Sequence, residues 1–96
     1  MVIKIKDFIH GSYGVLHEEG EECAYEILKY IDDEDILLDF GGVIAATSSF
    51  LYPIISEIIM EKGKAAIEKV EIRSNNTIRK NFEMIKNGEL RRAEKE

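Results

Sequence analysis

The pattern of apolar and polar residues divides the chain into alternating strand-like and helix-like segments. Ile3 and Ile5 alternate with lysines, which predicts an edge strand within residues 2–9. Residues 36–40 form a near-continuous apolar run, typical of a central strand covered on both faces. Residues 66–73 alternate again and predict a third strand.

Three helices are predicted between and after these strands. Apolar residues recur at helical spacing in residues 17–31 and in residues 48–62, where Gly63 is a suitable stop. Pro53 costs little if that helix begins nearby and kinks it if the helix begins at residue 48. Asn75 or Asn76 caps a last helix that Gly88 ends, which leaves residues 89–96 as a solvated tail.

The resulting order, β-α-β-α-β-α, predicts a single α/β domain over residues 1–96 with a mainly parallel sheet. If the strands follow one another in space, the helices lie mostly on one face of the sheet. The second face of the central strand then needs a cover, which a further element or a homodimer partner would supply.

Composition narrows the classes of partner. The formal charge is −6 and the pI about 5.0, which disfavours nucleic acid and anionic membrane surfaces. The longest uncharged run, residues 40–56, is shorter than the ~20 residues that span a bilayer. A single cysteine, Cys23, excludes an internal disulfide and indicates a reducing, cytoplasmic setting. No cofactor or metal site is predicted.

A cluster of hydroxyl residues is the main candidate site. Thr47, Ser48 and Ser49 follow the central strand and a small-residue turn, and they precede an apolar helix. The free N–H groups at a helix N-terminus favour negative charge there. One interpretation is that Ser48 or Ser49 caps the helix. The other is that this position contacts a phosphate or is phosphorylated.

The remaining constellations are weaker. A turn between a strand and a helix, where α/β folds bind phosphates, contains Gly11, Ser12 and Gly14. These residues lack the G-x-G-x-x-G spacing of a nucleotide-binding loop, which favours a flexible turn without a ligand. His17 and Glu21 share a helix face as surface residues, and Cys23 is expected to be a core thiol. No set of residues indicates catalysis, so the chain is predicted not to be an enzyme.

The run Asp39, Gly42-Val43 and Thr47-Ser48-Ser49-Phe50 resembles the STAS domain, the fold of anti-sigma factor antagonists and of the cytoplasmic part of sulfate transporters. It is more similar still to small bacterial STAS-like domains of unassigned function, which favour Ser-Ser-Phe here and accompany histidine-kinase-like ATPases. The resemblance implies that Ser48 matches the serine phosphorylated in the antagonists. It also implies that the unphosphorylated form binds a serine kinase of the histidine-kinase-like fold.

The chain departs from the antagonist pattern at two positions. Thr47 replaces an aspartate, and Phe50 replaces a glycine and is expected to place a large apolar group beside the acceptor. We expect the partner to contact the loop and the first turn of the following helix. The candidate contact residues are Asp39, Gly42, Thr47, Phe50, Leu51 and Tyr52.

Two functional hypotheses follow. The first is a regulatory protein-interaction module in signalling that phosphorylation of Ser48 or Ser49 switches. The alternative is a small module that binds an anion or nucleotide between residues 11–14 and residues 47–49, at the carboxyl ends of the first two strands.

Overall fold

The computed structural model describes residues 1–95 and shows an α/β fold with parallel strand pairing, as predicted. Residues 1–95 contain five strands, four α-helices and one 3-10 helix. The strands are β1 (Val2–Lys4), β2 (Tyr13–Gly14), β3 (Leu37–Asp39), β4 (Ala45–Ala46) and β5 (Glu71–Arg73). The helices are α1 (His17–Tyr30), α2 (Ser48–Lys62), α3 (Lys64–Lys69) and α4 (Asn76–Lys95), with the 3-10 helix at Ile5–Asp7.

The main sheet has the strand order β1-β3-β5, with β3 in the centre as expected. Ile3, Leu38 and Ile72 are aligned across it and are buried beneath the helices. They share one hydrophobic core with residues of the helices such as Ile27 and Ile54. Burial of this row against the helices fixes the register, because a shift by one residue would turn the apolar row to solvent.

The expectation that β3 is covered on both faces is wrong. Val2 is 53% exposed, and Leu37 beside it is only half-buried. On the same face, Lys4, Asp39 and Arg73 form a second aligned row with exposed or half-buried side chains. One face of the sheet is therefore open in the part of the chain that the structure describes, since the helices pack together on the other.

Three element boundaries differ from the sequence predictions. The first strand ends at Lys4, because Ile5 turns into the core and begins the 3-10 helix. The third strand is limited to β5, since residues 64–69, rich in Ala, Lys and Glu, form α3. Helix α4 does not end at Gly88.

The predicted tail is helical up to Lys95, because Gly88 does not adopt the left-handed conformation that stops a helix. Leu90 packs partly against the core, whereas residues 91–94 are exposed to solvent as expected for the tail. Residue 96 lies outside the described residues.

Helix α2 is the central helix of the domain and has the predicted bounds. It packs against α1, α3 and α4, and Leu51, Ile54, Ile55 and Ile58 are completely buried. Gly63 ends it with a positive φ of 85°. Pro53 lies inside the helix, and its missing N–H leaves the Ser49 carbonyl without its usual helical donor.

Helix α1 approaches α2 closely at Gly20. A Cβ atom at this position would lie 2.3 Å from the Phe50 carbonyl oxygen and 2.7 Å from Cγ of Pro53. Only glycine permits this separation of the two backbones. None of the helices within residues 1–95 combines the length and apolar character needed to cross a membrane.

Candidate functional site

The turn after β3 is organised by Asp39. Its Oδ1 accepts a hydrogen bond from the Gly41 N–H at 2.9 Å, and its Oδ2 lies 3.7 Å from Nη1 of Arg73. Gly42 adopts a φ of 79°, a backbone conformation that residues with a Cβ atom rarely adopt. Asp39 and Gly42 thus shape the loop that leads to α2.

The sequence analysis expected residues 11–14 to face residues 47–49, whereas the structure pairs the backbone of residues 12–14 with that of residues 44–47. The Ile44 N–H donates to the Ser12 carbonyl at 2.8 Å, and the Thr47 N–H donates to the Gly14 carbonyl at 2.9 Å. Strands β2 and β4 form a small second parallel sheet between them. The Gly11 carbonyl accepts from Nζ of Lys6 at 2.9 Å. In the proposed ligand loop, residues 11–14, the carbonyl groups of Gly11, Ser12 and Gly14 therefore accept hydrogen bonds from other residues of the domain.

Thr47, and not Ser48 or Ser49, caps α2. Thr47 is the last extended residue, with φ −80° and ψ 165°, and its Oγ1 accepts from the Phe50 N–H at 3.4 Å. The same hydroxyl donates to the Val15 carbonyl at 3.3 Å. The capping interpretation of the serines is wrong because both already belong to the first helical turn.

Ser48 and Ser49 are exposed, and neither hydroxyl forms a hydrogen bond with any described residue. Both are therefore accessible to solvent at the positive end of the α2 dipole.

Phe50 and Leu51 cannot contact a partner in this conformation, because both are completely buried. The Phe50 ring packs over Gly14, where an added Cβ would lie 3.0 Å from Cδ2 of the ring. The expectation that Phe50 lies beside the phosphoacceptor as an exposed apolar group is thus wrong. Tyr52 is 39% exposed and remains a candidate contact residue.

Exposed apolar side chains near the start of α2 were not singled out from the sequence. Ile44 is 59% exposed and Val15 is 48% exposed. The Ile44 N–H donates to the Ser12 carbonyl, and the Val15 carbonyl accepts from the Thr47 hydroxyl. Their exposure depends on the β2–β4 pairing, which no local pattern indicates. We define the α2 N-terminal surface as the exposed residues Tyr13, Val15, Ile44, Ser48, Ser49 and Tyr52.

The remaining residues that the sequence analysis considered, His17, Glu21 and Cys23, lie on the surface of α1 or in the core. Nε2 of His17 lies 3.2 Å from Oε1 of Glu21 on the surface of α1. Cys23 is completely buried, and burial, together with the nearby Glu26 charge, raises the pKa of its thiol to about 12. Within residues 1–95, no group of three or more His, Cys, Asp or Glu residues is arranged to hold a metal ion.

The parallel sheet, the helices on one face and the hydroxyls opening α2 define a small STAS-like α/β domain. The chain belongs to the family described as a STAS-like domain of unknown function (DUF4325), whose model matches residues 17–80. That range runs from the start of α1 into α4 and includes the α2 N-terminus. No curated protein and no solved structure matches the chain.

Proposed function

We propose that this domain is a non-enzymatic regulatory module that binds a protein partner through the α2 N-terminal surface. Phosphorylation of Ser48 or Ser49 switches that binding. The observation that carries the proposal is the exposure of both hydroxyls, which form no hydrogen bonds within the described residues. Val15, whose carbonyl accepts from the Thr47 hydroxyl, is also exposed, as is Ile44 just before β4.

The physical basis of the switch is the difference between the free and the bound domain. A phosphate adds about −1.5 to −2 charges. In the free domain it is solvated and favoured by the helix dipole, typically by about 0.3–1 kcal/mol. In a complex through the α2 N-terminal surface it would be desolvated, and that cost weakens the interaction.

The burial of Phe50 supports phosphorylation, because its ring lies against Gly14 and does not cover the neighbouring hydroxyls. The family resemblance supports a cytoplasmic histidine-kinase-like ATPase or serine kinase as the partner. The formal charge of −6 favours a basic contact surface on that partner.

A pull-down from native lysate tests the proposal. Wild-type chain and the Ser48→Ala variant should recover the same partner, whereas Ser48→Glu should recover roughly tenfold less of it. Intact-mass analysis of the unbound wild-type pool should show a phosphate that maps to Ser48 or Ser49.

Thr77→Glu is the matched control, because Thr77 is also an exposed hydroxyl residue in the first turn of a helix, here α4. It adds the same charge outside the α2 N-terminal surface and should leave partner recovery unchanged. Equal recovery with Ser48→Glu and wild type, with no phosphate at either serine, would refute the switch.

The alternative function, binding of a small anion or nucleotide, has one observation in its favour. A cavity of about 300 Å³ at the carboxyl ends of β3 and β5 is lined by Gly41, Gly42, Arg73 and Asn75, among others. Bound ligand would stabilise the native state by mass action. A thermal-shift series with inorganic phosphate and nucleotides should then raise Tm in wild type and less in Arg73→Ala; a flat series would contradict this function.

A further inference from the structure

The open face of the main sheet carries two aligned rows of side chains. The first row contains Val2, Leu37 and Glu71, and the second row contains Lys4, Asp39 and Arg73. Val2 is 53% exposed, and Lys4, Glu71 and Arg73 are exposed as well. Parallel sheets, however, occur almost only where both faces are covered. A cover that residues 1–95 of one copy do not supply is therefore expected on this face.

The charged side chains of this face cancel, whereas the chain as a whole has a formal charge of −6. Lys4 and Arg73 are positive, and Asp39 and Glu71 are negative. Among residues 1–95, Lys4 and Glu71 form no ion pair, and the side chain of Arg73 is 66% exposed. A second copy that approached this face would therefore not meet the repulsion expected in general between two acidic chains.

The pattern of the two rows is complementary to itself. In a symmetric dimer, one surface patch contacts the same patch of the second copy around a two-fold axis. An axis between the sheets and perpendicular to the strands stacks each strand antiparallel on its counterpart, so the first row of one copy faces the second row of the other. On β5, Glu71 of each copy then faces Arg73 of the other. Packed sheets lie about 10 Å apart, a separation that these two long side chains span together. On β1, Val2 meets the aliphatic stem of Lys4.

The central strand fits the same arrangement, in which Leu37 lies over Asp39 of the second copy. Asp39 tolerates an apolar neighbour because its Oδ1 already accepts from the Gly41 N–H, its Oδ2 lies 3.7 Å from Arg73, and its side chain is only 19% exposed. A two-fold axis parallel to the strands would instead stack β1 on β5, and Lys4 would face Arg73 as a like charge. The charges therefore select the antiparallel arrangement.

We propose that the open face of the sheet binds a second copy of the chain in this antiparallel arrangement, with two Glu71–Arg73 ion pairs between the copies. Standard interfaces contain about 20–30 residues a side, and the two rows offer far fewer, so the dimer is weak. This surface goes beyond the proposed function because it shares no residue with the α2 N-terminal surface.

Charge reversals at Glu71 and Arg73 test the arrangement by sedimentation equilibrium of the full chain at low ionic strength, where ion pairs are least screened. Wild type should dimerise in a concentration series that reaches about 1 mM. Glu71→Arg and Arg73→Glu should each dimerise at least about tenfold more weakly, because like charges then face each other. An equimolar mixture of the two variants should recover the association of wild type, since the two arginines of one copy face the two glutamates of the other.

Glu68→Arg on α3 and Lys80→Glu on α4 are the matched controls, because both residues are exposed and lie outside the open face. Each control has the same net charge as one of the test variants, so it reports the effect of net charge alone. Both should dimerise about as strongly as wild type. Circular dichroism verifies that each variant is folded. If Arg73→Glu does not fold, the comparison of Glu71→Arg with Glu68→Arg decides.

A monomer throughout the concentration series would overturn the proposal and leave the face to solvent or to another partner. A dimer that both reversals leave intact would overturn it as well, because the contact would then lie on another surface. The same conclusion would follow if the mixture of the two folded variants stayed monomeric.

Discussion

Gly20 marks the closest approach of α1 to α2, and its replacement by alanine should be strongly destabilising. Within a helix, alanine is normally better than glycine by about 1 kcal/mol. Here the new Cβ would lie 2.3 Å from the carbonyl oxygen of Phe50, a backbone atom that cannot rotate away. Overpacking of this kind costs typically about 1–3 kcal/mol, and the backbone clash places Gly20→Ala at the upper end. The expected net loss is about 2 kcal/mol.

Thermal unfolding followed by circular dichroism measures this effect. For a domain of this size, a loss of about 2 kcal/mol lowers Tm by roughly 8–16 °C. Gly88→Ala is the matched control, since Gly88 also lies within a helix but an added Cβ meets nothing within 4 Å. It should raise Tm by a few degrees, about 4 °C. A Gly20→Ala variant as stable as wild type, alongside a stabilised Gly88→Ala, would refute the close α1–α2 contact.

Two further predictions concern the α4 cap and the buried thiol. Asn75 Oδ1 accepts from the Ile78 N–H, and Asn75 Nδ2 donates to the Ile44 carbonyl, each at 2.9 Å. In urea unfolding, Asn75→Asp, which retains the cap but loses the bond to the Ile44 carbonyl, should lose about 0.5–1 kcal/mol, and Asn75→Ala, which loses both, about 1–2 kcal/mol. Equal losses would show that the cap contributes nothing. Because the Cys23 pKa rises from 9.0 to about 12 on folding, the unfolded chain binds fewer protons above about pH 9, and stability falls as the pH rises. Cys23→Ala should make the free energy of unfolding fall less steeply between about pH 9 and 11, and an unchanged slope would contradict the assignment.

The sequence predicted the order of the main elements because their apolar periodicities are long or unbroken. The bounds of α2 and the central position of β3 agree with the structure. The short elements were missed: β2 and β4 have two residues each, and α3 has six. Elements of this length carry too few residues for a period to be recognised.

The hydroxyl cluster lies at the start of α2, as the sequence indicated, but the cap is Thr47 and not Ser48 or Ser49. Thr47, Ser48 and Ser49 all lie at the start of α2, as the order of turn, hydroxyls and apolar helix indicated. Which hydroxyl caps the helix depends on the residue at which helical dihedral angles begin, and this is decided by the pairing of Thr47 with Gly14. The pattern also could not show that the Phe50 ring packs over Gly14, because Gly14 is distant in sequence.

The amino-acid sequence by itself thus determined the α/β class, the sequence of principal elements and the position of the hydroxyl cluster, because periodicity, caps and turns are local properties. Only the tertiary structure decided that, within residues 1–95, one face of the sheet and the β1 edge are open, that Phe50 is buried, and that Val15 and Ile44 are exposed. These features arise from contacts between segments far apart in the chain, and such contacts depend on packing geometry that no local pattern encodes.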